Sequence, residues 1–80
     1  MKPDRGSVWR YFGAPTDQQG SVNEPRTREE FGLIWNEKWI YRGRDGRRIE
    51  RVVLWNRYDF VAAFRFEPDG TACAEALPEP

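Results

Sequence analysis

The chain has no histidine, one cysteine and no long apolar run. Without imidazole, the Ser-His-Asp and Cys-His mechanisms, histidine general-base catalysis and the ordinary His/Cys zinc sites are excluded. The single Cys73 rules out an intramolecular disulfide and points to a reducing compartment. It sits in a run of small residues, TACAEA, which favours a structural thiol over a nucleophile. No apolar stretch approaches the ~18 residues of a membrane span, and the start, MKPDRGSVWRYF, lacks the apolar core of a signal peptide. A soluble, cytoplasmic protein without membrane contact is therefore expected. Net charge is lacking too: 13 basic and 13 acidic residues cancel, so no global field draws the chain toward nucleic acid or membrane.

Nucleotide-binding signatures are also missing. There is neither a Walker loop nor a GxGxxG run, and GRDGRR at 43–48 is a turn with basic flanks. The aromatic and basic spacing does not match the RNP1 pattern of RRM domains. Glu29, Glu30 and Glu37 are the nearest approach to a carboxylate cluster, and adjacent glutamates at a helix start serve the cap and the dipole rather than a metal. No metal, no cofactor and no catalytic residue is expected; the chain does not read as an enzyme.

What the sequence does have is aromatic mass and arginine. Its 80 residues make a single domain, 1–80, near the lower size limit for independent folding. At that size, burial barely offsets the entropy of ordering the chain, so unordered segments or self-association would help. The aromatics are four Trp, three Tyr and five Phe, and each buries a large area.

Residues 7–12, SVWRYF, lie between Gly6 and Gly13 and read as a strand or an extended arm. Residues 13–26 hold two Gly and two Pro among polar or small residues, apart from Val22, and read as a long flexible loop. Thr27-Arg28-Glu29-Glu30 has the form of a capping box. A short helical turn at 27–32 and then a strand over 33–42 is expected, with one helix over 27–40 as the alternative. On that strand Leu33, Trp35, Glu37, Trp39 and Tyr41 would share a face. Glu37, on an apolar face, must then lie at a sheet edge or pair with arginine, because burying a lone carboxylate is costly.

Gly43-Arg44-Asp45-Gly46 predicts a hairpin turn. Residues 47–56 are apolar on both sides, as in a central strand covered on both faces, and Asn56-Arg57 reads as a tight turn or bulge. In 58–66, Tyr58, Phe60, Ala62, Phe64 and Phe66 alternate along one face, the pattern of a strand over a core. Pro68-Asp69-Gly70 supplies another turn, Thr71–Leu77 the last strand, and Pro78-Glu79-Pro80 its stop. The expected fold is a β-rich α+β domain: a four-stranded antiparallel meander over 33–77 with an N-terminal strand or arm and one short helix. A partly open barrel of SH3 or OB type is a possible closure of the same strands.

Arginine supplies eleven of the bases, unevenly placed. Residues 42–65 hold seven Arg against Asp45, Glu50 and Asp59, a surplus of +4; residues 66–80 hold four acids and no base, −4. One reading is compensation across neighbouring strands. The other is a basic surface made by Arg42, Arg44, Arg47, Arg48 and Arg51 with Trp39 and Tyr41 beside it, able to hold a partner or a nucleic acid backbone. Trp9, Arg10 and Tyr11 form a candidate interface arm. Three functions follow: an interaction module that self-associates or binds a protein, a single-stranded nucleic-acid binder using hairpin 39–51, and an apolar-ligand pocket lined by Trp35, Trp39, Phe60 and Phe64.

Overall fold

The computed structural model describes residues 2–77. One helix and seven strands follow in the order α1 Arg5–Phe12, β1 Asp17–Gly20, β2 Arg28–Glu30, β3 Leu33–Trp35, β4 Glu37–Arg42, β5 Ile49–Asn56, β6 Asp59–Phe66 and β7 Ala72–Ala74. All strand pairs are antiparallel. Five strands form one sheet in the order β1-β4-β5-β6-β7, and β2 and β3 form a separate hairpin. The β-rich class and the β4–β7 meander agree with the sequence reading. The strand count is seven rather than four, and the sheet is open, with β1 and β7 as its two edges, so no barrel closes. The expected stop at 78–80 lies outside the described residues.

Residues 5–12 are helical, not a strand or arm. The Val, Trp, Tyr and Phe content favours a strand, but both helix ends are fixed locally. The Asp4 carboxylate accepts from the Ser7 amide at 2.7 Å while Ser7 Oγ accepts from the Asp4 amide at 3.2 Å, a reciprocal cap. Gly13, at φ +83, donates its amide to the Trp9 carbonyl at 2.7 Å and ends the helix.

The segment expected to be a flexible loop, 13–26, contains β1, which pairs along β4 from Asp17↔Ile40 to Gly20↔Glu37. Its residues are almost wholly exposed, so only the backbone ladder holds it and no apolar pattern announces it. Gly20 is required there: at φ +71, a Cβ would lie 2.1 Å from the Asn36 carbonyl oxygen.

No helical turn forms at 27–32. The chain makes the β2–β3 hairpin, closed by Phe31 and Gly32 at φ +58 and +73, the two positive angles of a type I′ turn. Glycine takes this conformation freely; phenylalanine is strained in it. The Phe31 ring compensates by stacking on Phe64, with centroids 4.3 Å apart. Nor is 33–42 a single strand. Buried Asn36 donates its amide to the Trp55 carbonyl and accepts the Arg57 amide on its side-chain oxygen, so the chain leaves one sheet and enters the other at this residue.

Both faces of the large sheet are covered, as the double apolar pattern of 47–56 predicts. Toward α1, Val8, Trp39, Tyr41, Val53, Trp55 and Ala63 make one buried cluster, with Phe12, Phe60 and Leu77 against it. On the other face Ile40, Val52 and Leu54 are buried, and β3 packs across β5 and β6. The alternation expected along 58–66 is broken by a bulge: Leu54 faces Ala62 but Trp55 faces Phe60, leaving Val61 as the extra residue. Phe60 therefore turns to the helix side, Phe64 and Phe66 to the hairpin side, and Tyr58 is 71% exposed in the β5–β6 turn.

Candidate interaction surface

The candidate residues fall into three groups. Trp39 and Tyr41 are core residues. Trp39 lies edge-on to Trp9 and tilted against Trp55. The Tyr41 hydroxyl donates to the Gly13 carbonyl at 3.0 Å, and burial pushes its phenol up to about 12. Neither ring lies open beside the arginines.

The arginines divide between internal partners and open positions. Arg42 bonds Asp17 Oδ2 at 2.6 Å and the Arg47 carbonyl at 3.1 Å. Arg51 makes a two-pronged pair with Glu75, at 2.7 and 2.8 Å, and lies 3.9 Å above the Phe12 ring. Arg65 pairs with Glu67 at 3.0 Å. The acidic C-terminal segment thus does meet the basic strands, as cross-strand compensation requires. Arg44, Arg47 and Arg48 are exposed and have no acidic side-chain partner among the described residues. Arg48 donates to the Phe66 carbonyl at 3.1 Å, which draws the β4–β5 turn against the β6–β7 turn.

These two turns make one end of the sheet. In the first, the Asp45 carboxylate accepts from the Arg47 amide at 2.9 Å; in the second, the Asp69 carboxylate accepts from the Thr71 amide at 2.9 Å. Those amides hold both acids below the usual carboxylate range, so both are ionised at neutral pH. An open groove of about 600 Å³ runs along the first turn, bordered by Arg42, Gly43, Arg44, Asp45, Arg48 and Glu50.

Trp9, Arg10 and Tyr11 belong to α1 and are all exposed, Trp9 at 45% and Tyr11 at 63%. Helical geometry separates the two rings, which a strand would have placed on one face.

A polar cluster that the sequence only half announced fastens this helix. Arg5 bonds both oxygens of Glu37, at 2.7 and 3.1 Å, and Trp39 Nε1 donates to the same carboxylate at 2.8 Å. The Arg5 guanidinium also lies 5.0 Å from the Trp39 ring and 5.4 Å from Trp55. The need for an arginine beside Glu37 was legible; which arginine was not, with 32 positions between the partners. The Asp4–Ser7 cap is the signal that would have found the helix carrying it. Of the other glutamates, Glu30 pairs with Lys38 and Glu29 is exposed on the hairpin, so the three acids do not converge. Among the described residues, no group of three or more Cys, Asp or Glu is placed to hold a metal ion, and no helix is long and apolar enough to cross a membrane. No family model, curated protein or solved structure matches the chain.

Proposed function

We propose that this chain is a non-catalytic interaction module that self-associates or docks on a protein partner. The observation that carries the reading is the exposure of Trp9 and Tyr11 on either side of Arg10, on a helix held to the core by its opposite side. Trp, Tyr and Arg are the residue types that dominate interface energetics, each removing about 2 kcal/mol or more when truncated at a hot spot. Tyr58, exposed in the β5–β6 turn, adds a further large aromatic surface.

The other two readings draw less support. Nucleic-acid binding keeps the open arginines Arg44, Arg47 and Arg48, but base stacking would need Trp39 and Tyr41, which are buried. A ligand pocket lined by Trp35, Trp39, Phe60 and Phe64 would need these four together. Trp39 and Phe60 belong to the helix face of the sheet and Phe64 packs under the hairpin, so they do not line one cavity.

Light scattering over a concentration series, together with native co-purification, tests the module reading on wild type and Trp9→Ala/Tyr11→Ala. The wild type is expected to associate with itself or to retain a defined protein, and the double variant to weaken the contact made through α1 at least tenfold with its circular dichroism unchanged. A wild type that stays monomeric, and retains the same proteins as the variant, would overturn it.

A further inference from the structure

The end of the sheet formed by the β4–β5 and β6–β7 turns carries charges of both signs side by side. Arg44, Arg47 and Arg48 project from the first turn, and Asp69 lies exposed in the second. Arg48 fixes the two turns against each other through the Phe66 carbonyl. Asp69 has no cationic partner among the described residues.

We infer that this end is a self-recognition surface, on which two copies meet about a two-fold axis and each seats its Pro68-Asp69-Gly70 turn in the arginine-bordered groove of the other. The contact is reciprocal: Asp69 of one copy faces Arg44 of its partner, and the second contact repeats the first with the roles exchanged. Charge complementarity selects this occupant. A phosphate polymer drawn to Arg44, Arg47 and Arg48 also meets Asp45, Glu50 and Asp69 at the same end, whereas a second copy, turned over, brings its Asp69 to Arg44 and its Arg44 to Asp69. The groove beside Arg44 is open to solvent, with a volume of about 600 Å³. A chain of zero net charge opposes its own association with no long-range repulsion.

The inference rests on the module reading, of which it specifies the self-associating form. It places the copy-to-copy contact at the turns, so Trp9→Ala/Tyr11→Ala is expected to leave this dimer intact and to weaken only a contact made through α1. The test is sedimentation velocity on the full chain at about 0.01 M and about 1 M salt, between which the Debye length falls from ~30 to ~3 Å. The wild type is expected to dimerise and to weaken more than tenfold at the higher salt. Arg44→Glu and Asp69→Lys are each expected to be monomeric, and their equimolar mixture to recover the dimer, because both contacts of the mixed pair then join opposite charges. Asp69→Asn, which keeps an acceptor for the Thr71 amide, is expected to weaken the dimer less than Asp69→Lys, separating charge from turn geometry.

A monomeric wild type overturns the inference, as does a mixture that stays monomeric. So does a wild type that binds a single-stranded oligonucleotide through Arg44 without dimerising. A dimer that survives both charge reversals but is lost in Trp9→Ala/Tyr11→Ala overturns this surface and leaves the module reading standing. Should the wild type be monomeric, the co-purification comparison still judges that reading separately.

Discussion

Helix α1 and the β2–β3 hairpin cover opposite faces of one sheet, the helix fastened by a buried ion pair and the hairpin by an aromatic ring beside the more exposed Glu30–Lys38 pair. On the helix side the side chains of Arg5 and Glu37 are 27% and 4% exposed, and three hydrogen bonds converge on one carboxylate. On the hairpin side Phe31, in a backbone conformation poor for its type, stacks on Phe64 and leans on Phe66. The two fastenings fail differently. An ion pair in a desolvated setting is all-or-none, since losing either member strands the other. An aromatic plug yields by degrees, in proportion to the surface it covers.

The widest gap between the two sides is expected from Glu37→Ala. It leaves Arg5 against two indole rings without its carboxylate and removes the acceptor of Trp39 Nε1. A loss of about 3 kcal/mol is expected, at the low end for buried pairs because Arg5 keeps some contact with water. Urea unfolding measures it, and a loss under about 1 kcal/mol would show that the pair does not fasten the helix. Arg5→Met combined with Glu37→Leu is expected to recover much of that loss, as apolar replacements of buried pairs do.

On the hairpin side Phe31→Ala is expected to cost about 1–2 kcal/mol, combining a lost aromatic pair with lost cover on a ring that is 42% exposed. Phe31→Gly removes the same ring but frees the positive φ, and it is expected to be about 1 kcal/mol more stable than Phe31→Ala. Equal stabilities would mean that the turn stores no strain.

The smallest effect is a pH dependence confined to the helix side. The Tyr41 phenol, raised from 10.0 to about 12 by burial, is neutral in the folded chain where an unfolded tyrosine already ionises. Its contribution is fully present below pH 10.0 and is lost as the pH rises through about 12. Alkaline unfolding followed by tryptophan fluorescence is expected to shift in Tyr41→Phe, which keeps the ring, gives up the bond to Gly13 and has no proton to lose.

The contrast also explains which parts of the fold could be read in advance. The β4–β5 and β6–β7 turns were legible because Asp45-Gly46 and Pro68-Asp69-Gly70 set their backbone angles by residue type alone. The double cover of β5 was legible from apolar residues on both its faces. Helix α1 was misread because propensity pointed to a strand while one cap at each end decided for a helix. β1 was invisible because an exposed edge strand is selected by backbone pairing, which leaves no side-chain pattern. The β2–β3 turn was hidden because Phe31 adopts an angle that its type disfavours and a ring 33 positions away makes tolerable. For the candidate surface, the arginine positions were legible but their fates were not. Whether an arginine is bound or open depends on Asp17, Glu67 and Glu75, which only the folded chain brings near.

Val61, the extra residue of the β6 bulge, gives this strand something like a reading frame. Upstream of it the large ring goes to one core, and downstream to the other, so a single strand feeds two separate interiors without changing its composition. Substituting Val61 alters one side chain, and deleting it would join Phe60 to Ala62 in regular alternation with every ring on its present side. One further inserted residue, by contrast, would shift the phase and send either Phe60 or the Phe64–Phe66 pair to the wrong side. At this position the fold should therefore tolerate the loss of a residue better than the gain of one. Among single-residue changes of length between Phe60 and Phe64, insertions are where folding should be lost first, and deletion of Val61 where it should best survive.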